Sequence, residues 1–234
     1  MADTDDASAA AADDARRARQ VVDRDLERLQ PLLMSLGYSE DARNLEAFNG
    51  AYAEYRRLDD EILSLAVENT NLKAQRLSFG PAREAADAVH AAVGAAVRSA
   101  AARDRCRVDA IGNTARIAVL EILALQAPHI AEPEDATMTQ IEEQMATAEG
   151  AARTALTNLA RALPSESSAV AKATAALDRF VSVNSDILEL SRRNSNVRSL
   201  ALALGRERTL TAQCEDQLAG FEQALARHEL TATR

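Results

Sequence analysis

The sequence has no tryptophan and only 3% aromatic residues, so its core must be built from aliphatic side chains. Strands draw on β-branched and aromatic residues, whereas helices favour Ala and Leu. The 47% of hydrophobic residues are mostly of the second kind, and the expected fold is all-α. Five prolines and eight glycines in 234 residues leave long stretches free of the two residues that punctuate helices. Positive charge is also scarce: 27 basic against 36 acidic residues gives a net charge of −9. Neutralising phosphates needs clustered Lys and Arg, so nucleic acid is not an expected partner. The most apolar run, IAVLEILAL from Ile117, is short and carries Glu121, so no bilayer span is expected. The acidic, Ala-rich start lacks the apolar region of a signal peptide, and residues 1–13 read as a disordered leader.

Two cysteines, Cys106 and Cys214, are too few for a disulfide framework and form no CxxC. Helical register puts them ~22 Å apart along the axis, against the ~7 Å between Cα atoms that a disulfide tolerates. No bond between them is expected within one chain.

What is present is helical periodicity. It predicts six helices, at about 14–36, 40–78, 81–127, 135–163, 167–204 and 206–231. Gly37, Gly80-Pro81, Pro128 to Glu134, Pro164-Ser165 and Gly205 supply the breaks. Several helices keep a strict 4,3 apolar spacing, as in Phe180, Val183, Ile187, Leu190, Asn194, Val197 and Leu58, Ile62, Leu65, Asn69, Leu72. Such spacing predicts up-and-down antiparallel bundles with coiled-coil-like packing.

The stretch ILSLAVENTNLKAQRLSFG (62–80) returns 125 positions later as ILELSRRNSNVRSLALALG (187–205), with seven identities in nineteen positions and no gap. Chance gives roughly one or two, so the match marks an internal repeat. Grouped sequentially, residues 14–103 make a first module of three helices and 104–232 a complete four-helix second module. The third helix, ~70 Å long, would be shared, and the modules would stack end to end on it. A dimer partner or an upstream segment would supply the helix missing from the first.

LSRRNSNVRSLALALGRERTLTAQCEDQLAGFEQAL and LAVENTNLKAQRLSFGPAREAADAVHAAV resemble the last two helices of the four-helix-bundle sensor modules of bacterial methyl-accepting chemotaxis proteins, in tandem form. LEILALQAPHIAEPEDATMTQIEEQM is similar to their turn between the first two helices. The resemblance covers about residues 40 to 231. It implies a non-enzymatic sensory input domain that binds a small molecule, such as an amino acid or organic acid, passes a helix displacement to a signalling partner, and forms a homodimer. It places such a module outside the cytoplasmic membrane if excised from a receptor whose own spans flank it, and in the cytoplasm if this is the whole chain. The alternative is a structural or protein-interaction bundle.

Asn69 and Asn194 occupy apolar seam positions in both copies. Burying an unpartnered amide costs a few kcal/mol, so partners are expected. Either the amides pin the register of the helices or they face a ligand pocket. In the second case the candidate ligand-binding residues are Asn69, Thr70, Lys73, Arg193, Asn194, Ser195 and Arg198, with the guanidinium forks suited to a carboxylate. Asn71 and Asn196, off the seam, are expected to face a neighbouring bundle or a second copy. Asp87-x-x-His90 has di-iron spacing but no second copy of the motif. His129, among Glu132, Glu134 and Asp135, reads as a helix-end charge partner or a minor metal candidate. No phosphate-binding, metalloprotease or nucleophile motif occurs, so no cofactor and no enzymatic activity are expected.

Overall fold

The computed structural model describes residues 4–232, and among these every regular element is helical. Helix α1 (Asp5–Ser35) begins well before the expected start. Thr4 caps it, accepting from the Ala7 N–H at 3.1 Å, and Asp5 and Asp6 complement the positive helix end. The leader expected over 1–13 is thus helix from Asp5 onward, and residues 1–3 lie outside the described residues. Gly37, at φ +76°, ends the helix. The bonds Tyr38 N–H to Leu33 O and Gly37 N–H to Met34 O close it in the manner glycine permits.

Helix α2 (Ser39–Glu68) stops at Asn69, and α3 (Thr70–Leu77) starts at the next residue. A π-helical turn, Ser78–Ala82, then leads into α4 (Arg83–Ser99). Helix α5 (Arg105–Ala131) and α6 (Asp135–Ala162) follow. Helix α7 (Ser167–Arg193) stops at Asn194, α8 (Ser195–Leu202) begins at once, and a second π-helical turn, Ala203–Glu207, runs into α9 (Arg208–Ala232).

Three expectations are corrected here. The Gly80-Pro81 and Gly205 sites do not end helices. A π turn accommodates the missing N–H and the ring of Pro81 by widening the ladder locally. The true interruptions are the asparagines. Finally, the single helix expected over 81–127 is broken. Ala100 is extended, at φ −64° and ψ 141°, and a turn follows before α5. The apolar seam lapses between Val97 and Val108, where the chain reads RSAAARDRCR and only small Ala100 is buried, so little packing holds the helix straight there.

The chain forms two compact units, residues 1–69 with 195–234, and 70–194. These bounds differ from the sequential division into 14–103 and 104–232, because the helices that follow Asn194 pack with the N-terminal ones. In the first unit α1, α8 and α9 each lie against α2. Its core is small and partly aromatic: Leu33, Leu45, Phe48, Tyr52 and Phe221 form one cluster, and Leu58, Ile62 and Leu210 another. In the second unit α4 contacts α5 and α7, α6 contacts the same two, and α3 lies on α7. They share one aliphatic core that includes Val89, Val93, Ile122, Leu159, Leu177, Phe180 and Ile187. Gly112 brings α5 close to α4: a Cβ there would meet Val97 Cγ2 at 2.8 Å and Val93 Cγ1 at 3.0 Å. No described helix is long and apolar enough to cross a membrane.

Candidate functional site

The repeated stretches have the same local structure, element for element. Asn69 and Asn194 are the only non-glycine residues with positive φ among those described, at (51°, 37°) and (52°, 36°). Asparagine is one of the few side chains that tolerate this left-handed conformation. Each is followed by an eight-residue helix and then by a five-residue π turn at the equivalent position, 78–82 and 203–207. π turns are rare, so two at the same offset from two left-handed asparagines support one ancestral joint, copied.

Both joints are buried, Asn69 at 1% and Asn194 at 3% exposure. Their amides are fully engaged. In the first unit Asn69 Nδ2 donates to Ser8 Oγ at 2.9 Å and to Asp5 Oδ1 at 3.0 Å, and its carbonyl accepts from Asn196 Nδ2 at 2.9 Å. In the second unit Asn194 Nδ2 donates to the Glu132 carbonyl at 2.8 Å, and its own carbonyl accepts from Asn71 Nδ2 at 2.7 Å. Asn71 Nδ2 also donates to the Ile130 carbonyl. In each unit, then, the second Asn of one Asn-x-Asn holds the first Asn of the other. Asn71 and Asn196, expected to face a neighbouring bundle or a second copy, each bond to the first asparagine of the other repeat, and each pair lies within one compact unit. The repeated Asn-x-Asn was the sequence signal for this, though not for its geometry.

The first unit contains a cleft of ≈ 210 Å³ beside its joint. Ser8 and Ala12 of α1, Leu63 and Asn69 at the end of α2, and Asn196 and Leu200 of α8 are among its walls. No charged side chain lines it. Of the seven nominated ligand residues, only Asn69 does. Arg198, in the same unit, is exposed, and Ser195 is buried. In the second unit Asn194 and Thr70 are buried, Lys73 is half-buried and Arg193 is exposed. The carboxylate-binding set is therefore not assembled in this cleft.

The second unit carries a polar network that periodicity did not reveal. His129 is fully buried rather than placed at a solvated turn. Its Nε2 lies 2.9 Å from Glu142 Oε1 and its Nδ1 lies 2.8 Å from Ser191 Oγ. Ser191 Oγ donates to the His129 carbonyl at 2.9 Å. Arg192 grips Glu142 with Nε at 2.6 Å and Nη2 at 2.8 Å. These bonds hold the Glu142 carboxyl below its usual range against the opposing effect of burial, and the His129 contact adds to them. Arg192 thus holds a carboxylate in its fork, and that carboxylate is internal. Ser191 is wholly buried. A second buried chain runs from Ser78 through Gln126 to Asn184.

In the first unit Arg19 pairs with buried Asp59 at 3.0 Å. Burial pushes the Asp59 carboxyl up more than Arg19 pulls it down. Glu207, in the π turn, is likewise raised by burial and by Asp59, against the hydrogen bond from Tyr55. His228 Nε2 lies 2.7 Å from the buried carboxylate of Asp41 and its ring stacks on Tyr38. Both cysteines are free thiols, Cys106 exposed and Cys214 half-buried against the aromatic core. Among the described residues no cluster of three or more His, Cys, Asp or Glu is arranged to hold a metal ion.

Comparison with known proteins found no match to a protein family, to a curated protein or to a solved structure.

Proposed function

We propose that the chain is a ligand-sensing helical module, the input part of a bacterial chemoreceptor or related transducer, built by duplication of an up-and-down bundle. Its ligand occupies the cleft beside Asn69. The observation that carries this reading is the cleft's position: its walls belong to α1, α2 and α8, and Asn69, the left-handed residue at the end of α2, bonds beside it to Ser8 of α1 and Asn196 of α8. A ligand there biases the placement of α8 between two packings, which is all that a sensor needs. The cleft offers hydroxyls and amides but no cation, so the ligand is small, neutral and largely apolar, in place of the organic acid expected from the resemblance.

A thermal-shift screen of neutral fragments tests this. A saturating ligand at 100 times its Kd adds about 2.7 kcal/mol. The shift should vanish in Ala66→Leu, which fills the cleft, while the ligand-free melting temperature stays level or rises. Ligands that stabilise Ala66→Leu equally well bind elsewhere.

The structural reading, in which the asparagines only shape the bundle, is favoured by one observation: the Asn194 amide has partners within its own unit for both its carbonyl and its NH2 group. A screen in which no fragment shifts the melting temperature selects that reading.

A further inference from the structure

The helices that precede the two copies of the repeat are unlike on one face. Helix α1 leads into α2 and α6 leads into α7. Carried across the same 125 positions, Asp23, Glu27 and Gln30 of α1 match Ala148, Ala152 and Ala155 of α6. The three alanines are buried in the aliphatic core of the second unit. The three polar residues instead line a groove of ≈ 330 Å³ between α1 and α2 of the first unit, with Asn49, Tyr52 and Arg56 on its other wall.

The two walls meet rung by rung. At one end Arg56 Nη1 donates to Asp23 Oδ1 at 3.0 Å, and its guanidinium carbon lies 6.0 Å from the centre of the Tyr52 ring. That bond sets the antiparallel register, which places Tyr52 opposite Glu27 and Asn49 opposite Gln30. Glu27 is exposed and forms no ion pair among the described residues. At the far end Gln30 Oε1 and Asn49 Oδ1 are buried, and among the described residues neither has a hydrogen-bond partner. A buried acceptor left unmet is costly. The terminal torsion of an amide is soft, so both oxygens can turn to a donor that enters the groove. Two carboxylates against one guanidinium leave the lining net negative.

Acceptors without donors, a net negative lining and an aromatic ring call for a cation that donates hydrogen bonds. A primary ammonium has three N–H donors and no acceptor, and a cation is attracted to an aromatic face. Leu26 and Ala53 also line the groove and suit a short alkyl tail. A carboxylate on the ligand would face Asp23 and Glu27, and Arg56 is already matched by Asp23, so the charges disfavour amino acids and organic acids. We propose that this groove binds a primary alkylammonium ion, its nitrogen held by Glu27, Gln30 and Asn49 and its tail lying toward Tyr52 and Leu26. The inference stands independently of the sensing proposal, because the groove shares no lining residue with the cleft beside Asn69 and takes a charged ligand.

An NMR titration of the full chain with n-butylammonium chloride, at about pH 7 where the amine is protonated, tests it against butyltrimethylammonium chloride. Butylammonium should shift the side-chain amide signals of Gln30 and Asn49 with a Kd of about 1 mM or tighter. The quaternary ion has no N–H and should bind at least about ten-fold more weakly. Glu27→Gln should weaken binding about ten-fold with helicity unchanged, since the residue is exposed. Gln30→Met keeps the shape and removes the orphaned oxygen, so it should weaken binding while the ligand-free melting temperature holds or rises. Glu46→Gln, at an exposed position of α2 outside the groove, should change nothing. Absence of saturable shifts up to about 50 mM, equal binding of the two ions, or a Glu27→Gln chain that binds as well as the parent overturns the proposal. Calcium chloride that displaces butylammonium from Gln30 and Asn49 at lower concentration than the amine itself would give the groove to a metal ion and overturn the amine assignment.

Discussion

Replacing each joint asparagine by alanine and by glycine separates its backbone role from that of its amide. Glycine keeps the left-handed conformation and loses the side chain; alanine loses both. Asn69 makes three side-chain hydrogen bonds at 3.0 Å or less, to Asp5, Ser8 and Asn196. At about 1 kcal/mol each, Asn69→Gly should cost about 3 kcal/mol. Asn194 makes two such bonds, to Glu132 and Asn71, and Asn194→Gly should cost about 2 kcal/mol by the same measure. Alanine adds the left-handed penalty, about 1–2 kcal/mol. The alanine-minus-glycine gap should therefore be alike at both sites, whereas the glycine costs differ. With a urea slope of about 2 kcal/mol/M, the gap is about 0.5–1 M in the midpoint. The assay is built into the sequence, because all three tyrosines, Tyr38, Tyr52 and Tyr55, lie in the first unit. Tyrosine fluorescence reports that unit, and circular dichroism reports the whole chain. Alanine variants as stable as their glycine counterparts would refute the left-handed joint. A more stable Asn69→Leu or Asn194→Leu would show that the amides serve only to set register.

Other perturbations read single contacts. Gly112→Ala should destabilise by about 1–3 kcal/mol through overpacking, since Val93 and Val97 already fill the space; a neutral effect in urea unfolding would mean that α4 and α5 are not held this closely. Glu142→Gln should cost about 2–3 kcal/mol, because it removes the charged acceptor of Arg192 and of buried His129, and the ring NMR shifts of His129 should move with it. The two units should respond oppositely to acid. Glu142 is held low in the folded state, so its contribution is present above its ordinary value of 4.5 and is lost as pH falls through the lower folded value. Asp59 and Glu207 are held high, so their contribution is complete below their ordinary values and is lost as pH rises through the folded ones. Lowering pH from 7 toward about 5 should strengthen the tyrosine-reported transition, and Glu207→Gln should flatten that rise; a rise unchanged in Glu207→Gln would assign it to other groups.

Much of this fold could be read from the chain, and the omissions share a cause. The inward seams of α5 and α6 and the bounds of α6 follow from periodicity, because burial on one face leaves a periodic trace. The repeat was visible because Asn-x-Asn and a glycine recur where heptads alone would match only leucines. The left-handed joints were hidden, since Asn69 and Asn194 continue a 4,3 seam that a straight helix would also show. The break at Ala100–Asp104 has no glycine or proline to announce it; it arises from lost packing, which is a tertiary fact. The His129 network was hidden for a related reason. His129, Glu142 and Ser191 are brought together by three helices, and an acidic turn in sequence gives no indication that the histidine beside it faces inward.

The joint also explains why the seam misleads beyond it. Up to each asparagine the 4,3 residues are turned inward: Leu58, Ile62 and Leu65 in one copy, Phe180 and Ile187 in the other are buried. Past it the same count lands on Arg76 and Phe79, or on Ala201 and Leu204, and all four are exposed, Phe79 at 63% and Leu204 at 67%. Besides Asn71, which bonds to Asn194, the buried residues are instead Thr70 and Ala74, and Ser195 and Ser199. They sit two residues ahead of the straight-helix count, about 200° around the axis, on the opposite face. One left-handed residue thus redirects the burial of the helix that follows it. The small side chains at 70, 74, 195 and 199 suit that redirected face, and the bulky ones at 79 and 204 do not. A residue that cannot hold the left-handed turn lets the helix run straight and carries Arg76 and Phe79 toward the space now filled by Thr70 and Ala74. The asparagine is therefore required first for its backbone, and its buried amide follows from that.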